Sequence, residues 1–201
     1  FKHDLKGLLA YSTVSHLGLV VFLIGLGSPL AAVAAVFHVL NHAAFKASLF
    51  MIAGIVDHET HSRDMRQLGG LWKFMPWTAT LSMVAAASMA GVPLTNGFLS
   101  KEMFFTEAVV GTSGIYAWLV PALVTLAGVF SVAYSLRFVH DTYFNGELGD
   151  VPNHHPHEPP LGMKLPALLL VAMCIVVGLL PAVTFGPLVH VAATALVGKA
   201  L

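Results

Sequence analysis

From Gly7 to Gly27 the chain carries no Asp, Glu, Lys or Arg. That run matches the roughly 20 residues an α-helix needs to cross ~30 Å of hydrocarbon. In such a medium every backbone N–H and C=O must be paired within the chain, so a spanning segment of this length is helical. The pattern recurs. Leu30 to Val56 follows directly after Ser28-Pro29, Ile115 to Leu136 is again free of charge, and Leu165 to Val183 is apolar throughout. Charged residues make up 10% of the chain and hydrophobic residues 57%, against about 25% charged in a soluble domain. The fold class that follows is an all-α integral membrane protein.

The segment from Phe74 to Val110 is long and apolar but interrupted. Gly91-Val92-Pro93 and Asn96-Gly97 open the helix near its middle. Irregular backbone at membrane depth is tolerated only where protein buries it or a polar cavity receives it. The architecture expected is about five transmembrane helices with the third discontinuous: 7–27, 30–56, 74–110 broken at 91–97, 115–143 and 165–183. Residues 1–144 form the main unit. Residues 145–201 add a loop, the last spanning helix and a C-terminal interfacial segment. Five crossings put Lys2, Lys6, Arg63, Arg66, Lys73, Arg137 and Lys164 on one side and Lys199 on the other. Basic residues favour the cytoplasmic face, so the N-terminal end is expected there and the C-terminal end outside. Phe1 stands first, with Lys2, His3, Asp4 and Lys6 before the apolar run and no leader pattern. This leads to the expectation of an internal portion of a longer polytopic protein.

Two cations remain inside the membrane segments, Lys46 and Lys101. His38, His42 and Lys46 recur every four residues, which stacks them on one helix face about 6 Å apart. Lys46 lies ten residues from Val56, about 15 Å deep. A lysine there costs at least ~2.5–3.5 kcal/mol to insert, so something must offset it. Histidine and lysine both hold and pass protons, and a proton relay along this face is the reading the spacing favours. Lys101 and Glu102 follow the helix break, where Lys101 either caps a half-helix or ends such a path. His16, within TVSHLG, has Ser12, Thr13 and Ser15 as nearby hydroxyls. It is either a packed histidine or a further member of the path. Asp4 and Lys6 are interfacial anchors or the mouth of the path. Arg137, His140 and Asp141 read as an interfacial helix end. The NHHPHEPP loop and the Asp57–His61 cluster lack metal-ligand spacing and read as exposed connectors. Cys174 is alone, so no intrachain disulfide forms. No phosphate loop, nucleophile triad or dinucleotide fingerprint occurs, the net charge of zero gives no reason for nucleic acid, and no cofactor is expected.

HDLKGLLAYSTVSHLG, FHVLNHAAFKASLFMIAG, VDHETHSRDMRQLGGLWKFMP and MAGVPLTNGFLSKEMF resemble the proton-translocating antiporter-like family. That family comprises large membrane subunits of respiratory complex I and of Mrp-type Na+/H+ antiporters. The VDHETxxRD loop, SLRFVHD and HEPPxxMxxPxxLL are most similar to Mrp A subunits. The resemblance implies that His38, His42 and Lys46 form the central relay and that Lys101 ends a half-channel. Asp4 and Lys6 match the family's DLK motif. His16 stands where the family often has Gln. A glutamate and a lysine of the first repeat would lie upstream of Phe1, making this chain the second half-channel. The implied function is proton carriage in a multisubunit Na+/H+ antiporter in the cell membrane, a secondary transporter rather than an enzyme. Its partners would be other membrane subunits of a hetero-oligomeric complex, with protons and Na+ as transported ions and the lipid bilayer around it. A proton-pumping subunit of an NADH:quinone oxidoreductase or related hydrogenase, and a structural membrane scaffold, are the alternatives.

Overall fold

The computed structural model describes residues 2–184 and 186–197, so Lys199 of the orientation count and the last residues of the expected C-terminal segment lie outside the described residues. Helix α1 spans Leu5–Leu26. Asp4 caps it by accepting the Gly7 amide at 2.5 Å, and Gly27 ends it in the left-handed region at φ 70°. One residue later Ser28 caps α2, Pro29–Thr60, through the Ala31 amide, with Pro29 at the first helical position where its missing N–H costs nothing. The two helices therefore return on each other with almost no loop.

α2 runs past the apolar stretch. Asp57, His58 and Glu59 are helical, and the turn comes at His61 with φ 54°. The last turn of α2 is polar yet helical, so the polar loop begins four residues later than hydropathy placed it. Helices α3 (Pro76–Ala90) and α4 (Asn96–Val110) are the two halves of the broken segment. Gly91 (φ 87°) and Leu94 (φ 71°) turn the chain between them. α5 covers Tyr116–Val139 and passes into a π-helical turn, His140–Phe144. α6 covers Leu161–Leu179, starting earlier than expected, directly after Pro159-Pro160. Proline at 181 cannot continue α6, since it has no N–H to donate back. A separate turn, α7 (Pro181–Thr184), therefore replaces the expected tail of that helix, followed by α8 (Gly186–Val197). Among the described residues four helices, with α5 extended through its π turn, are long and apolar enough to cross a membrane. The 15-residue halves α3 and α4 are each about 22 Å long at 1.5 Å per residue, too short to span alone.

α2 is the hub: α1, α3, α4, α6 and α8 all pack on it. Two apolar clusters line it. One gathers Leu5, Leu9, Phe45, Leu49, Ile52 and Met89 among others, and the other Val20, Leu23, Ala31, Ala35 and Phe104. Between them, on both α1 and α2, lies a buried polar layer with His16, His38, Asn41 and His42.

The end carrying the N-terminus is stitched by ion pairs. Lys6 meets Asp57 at 2.7 Å and Arg63 meets Asp4 at 3.4 Å. Met65 donates to His3 O, beside a short antiparallel bridge between Asp4 and Asp64. The loop 145–160 is tied down rather than free. Asn153 donates to Glu59 O at 2.6 Å, and Glu158 accepts from Thr78 N and Lys164 Nζ. Asp64 is held at about 2 by hydrogen bonds from the Arg66 guanidinium and amide. Its depressed value means the contact is complete above about pH 4 and lost as pH falls toward 2. The protection factor of the Arg66 amide, its exchange rate relative to a free peptide at the same pH, is expected to hold above that window and to fall through it, because Asp64 accepts that N–H at 3.0 Å.

Candidate functional site

Three histidines from two helices meet in the polar layer. His38 and His42 sit one turn apart on α2, and His16 comes from α1. His16 Nδ1 lies 3.1 Å from His38 Nε2 with the rings stacked at 5.2 Å. The His16 and His42 rings are 5.3 Å apart. His16 is 1% exposed and His38 3%. The Ser12 and Thr13 hydroxyls do not serve His16. Both turn back to the Leu9 carbonyl, as hydroxyls within a helix commonly do. Its partner is instead the Tyr134 hydroxyl on α5, 2.9 Å from Nε2.

Lys46 sits one turn beyond His42 and is 4% exposed. Nζ donates to Leu9 O at 3.1 Å and to Ser12 Oγ. Both partners are neutral, and among the described residues no carboxylate pairs with Lys46. A buried ammonium with no counter-charge is costly. The site therefore gives the amine two acceptors and no ion pair.

Lys101, half-buried, projects from α4 back across the break. It lies over Gly91, where a Cβ would come within 2.7 Å of Lys101 Cδ. Nζ donates to Ala90 O, the end of α3, at 2.8 Å, and to Ser131 Oγ on α5 at 2.8 Å. A cation is favoured at a helix C-terminus, so Lys101 does cap the half-helix. It also opens onto a cleft of about 550 Å³ between α4 and α5, which Glu102, Thr106 and Thr125 line.

The break itself is a three-helix junction. Asn41 Nδ2 donates to Asn96 O at 3.1 Å, and Ser88 Oγ donates to Asn96 Oδ1. Gly97 faces the Ser88 carbonyl so closely that a Cβ has no room.

Of the residues singled out in the sequence, the structure joins His16, His38 and His42 into one group and carries it to Lys101 through side chains of α5. Lys46 lies next along the same row. No hydrogen bond joins it to His42, whose Nε2 is buried without a protein partner. Asp4 and Lys6 do not reach this row. They are half-exposed and fasten the end of α1. Glu102 is exposed on the cleft and forms no ion pair with Lys101 among the described contacts. Among the described residues no group of three His, Cys, Asp or Glu side chains is placed to hold a metal ion. Sequence reasoning missed Tyr134, Ser131 and Ser100. Ser131 and Tyr134 share a face of α5 three residues apart, the one trace they left. It also missed Glu107, 7% exposed, which accepts from Ser28 Oγ at 2.6 Å near the α1–α2 turn.

The sequence profile of the NADH:quinone oxidoreductase/Mrp antiporter transmembrane family matches residues 1–131. A probable K(+)/H(+) antiporter subunit of Rhizobium meliloti is 61% identical over 193 residues, which cover 96% of this chain and 19% of that protein. A Na(+)/H(+) antiporter subunit of Alkalihalophilus pseudofirmus is 44% identical over 203 residues, 90% of this chain and 25% of that protein. A chain in the structure of the Mrp complex from Dietzia sp. DQ12-45-1b superposes with a TM-score of 0.80 at 44% identity, over 96% of this chain and 20% of its own length. This chain thus spans a fifth to a quarter of the relatives it matches.

Proposed function

The chain belongs to the NADH:quinone oxidoreductase/Mrp antiporter transmembrane family, and on that premise we propose that it carries protons through the row of His38, His42, Lys46 and Lys101 in a multisubunit monovalent cation/proton antiporter. His16 joins the row as a working member. The observation that carries this reading is that two lysines within the membrane segments, neither ion-paired among the described residues, flank a stacked histidine group in the layer between two apolar clusters. Groups that only organised packing would need no titratable side chains in a row. Residues 1–144 would act as one half-channel, with 145–201 closing it through α6 and α8 on α2. The proton would be driven by the membrane potential, worth ~2.3 kcal/mol per charge per 100 mV, in exchange for Na+ or a similar cation. The N-terminal end of the chain would face the cytoplasm and the C-terminal end the outside. Further membrane subunits would cover the lipid-facing sides and complete the transporter. The activity is secondary transport rather than catalysis.

Lys46→Ala in the full-length protein, assayed for proton movement in inverted vesicles, tests this. Transport is expected to fall about tenfold or more while the complex assembles on native gels. Unchanged transport with intact assembly would leave a structural scaffold as the better account.

A further inference from the structure

We propose that Tyr134 and Ser131 hand the proton from the histidine group to Lys101, so that the route leaves the relay helix for α1 and α5 before it reaches α4. This rests on the reading of the row as a proton path. The hydrogen bonds run unbroken: His38 Nε2 to His16 Nδ1 at 3.1 Å, His16 Nε2 to Tyr134 OH at 2.9 Å, Tyr134 OH to Ser131 Oγ at 3.1 Å, and Ser131 Oγ to Lys101 Nζ at 2.8 Å. Each group named has both a lone pair and a removable proton, the lysine once its amine is neutral. His16 and Ser131 are 1% and 3% exposed, so bulk water does not short-circuit the middle of the chain.

The shorter route, along α4, stops short of Lys101: among the described residues no hydrogen bond joins Ser100 Oγ to Lys101 Nζ. His38 Nδ1 meets Ser100 Oγ at 3.1 Å, next to Lys101 in sequence, but that hydroxyl points to Gly97 O at 3.2 Å. Ser131 Oγ also donates to a backbone carbonyl, Met89 O at 3.2 Å, but it touches both Tyr134 and Lys101, so rotation of its hydroxyl toward Nζ completes the route.

The transfer balances. The passage starts with His38 protonated on both ring nitrogens, its Nδ1–H donated to Ser100 Oγ. The Nε2–H of His38 moves to His16 Nδ1, and the Nε2–H of His16 moves to the Tyr134 oxygen. The proton that oxygen held goes to Ser131 Oγ, whose own proton forms the new N–H bond on a neutral Lys101 amine. Lys101 ends as the ammonium, His38 as the neutral Nδ1–H ring, and His16 has passed from its Nε2–H to its Nδ1–H tautomer. Ring and hydroxyl rotation restores the donors and acceptors before the next passage.

Tyr134→Phe in the full-length, assembled complex removes one oxygen and keeps the ring that lies edge-on to His16 at 6.4 Å. Proton movement in inverted vesicles is expected to fall about tenfold or more, with Ser131→Ala falling alike and Ser131→Thr, which keeps the hydroxyl, staying close to the parent rate. Parent-like transport in Tyr134→Phe, or equal losses in Ser131→Ala and Ser131→Thr, would overturn the proposal. Lys46→Ala is measured beside them. If it is inactive while Tyr134→Phe is fully active, the bridge alone falls. If Lys46→Ala is itself fully active, the proton path as a whole falls.

Discussion

Lys101→Arg is expected to leave the full-length complex assembled and to lower proton transport about a hundredfold or more. The side chain at this position has two separable jobs. Lys101 donates to Ala90 O and caps α3, and it donates to Ser131 Oγ. A guanidinium has donors enough for both contacts and keeps the positive charge beside the C-terminus of α3, while the cleft beside it has room for the larger head. What it cannot do is lose its proton at any pH a protein survives. Capping is kept and exchange is lost. Lys101→Ala removes both, and leaving the Ala90 carbonyl without its donor adds a cost of about 1 kcal/mol in stability. Transport in inverted vesicles and assembly on native gels tell them apart. Full transport by Lys101→Arg would mean that charge alone is needed at this position.

The second large effect is structural. Gly97→Val is expected to destabilise the helix break by about 3 kcal/mol or more. A Cβ at Gly97 meets the carbonyl of Ser88, which is backbone and cannot swing aside. Separating α4 from α3 would break the Ser88–Asn96 contact and the Asn41–Asn96 bond together, because all three helices meet there. It would also move Lys101, one turn along α4, away from Ser131. The melting temperature of the purified complex and the yield of assembled complex both report this. A Gly97→Val complex that melts with the parent would show that the junction has slack the structure does not show.

Much of the architecture was legible because the membrane simplifies the code. Charge-free runs give the spans, and GVPLTNG gives the break between Ala90 and Asn96. The ends were less legible. Asp57 to Thr60 are polar yet helical, since helix formation and burial in lipid are separate requirements, and α6 is fixed by its prolines rather than by hydropathy. The site was half legible for a similar reason. His38, His42 and Lys46 share one helix, so a four-residue spacing reveals them. The partner of His16 is 118 residues away on α5, and no local pattern connects them. The neighbouring Ser12 and Thr13 drew attention instead, although their hydroxyls bond their own helix. Asp4 and Lys6 match a family motif and allow either an anchor or a path mouth, and the pairing that ties them down, to Arg63 beyond the end of α2 and Asp57 in its last turn, has no local sequence signal.

The central claim is that Lys46 and Lys101 belong to one proton path through the polar layer. Proton flux measured for Lys46→Ala, Lys101→Arg and the two combined, all in the full-length complex in the same vesicles, tests it most directly. A path in series is cut by its first break, so the double variant is predicted to move protons as fast as the slower single variant. A double variant whose loss is the product of the two single losses would contradict it, because the lysines would then be acting independently.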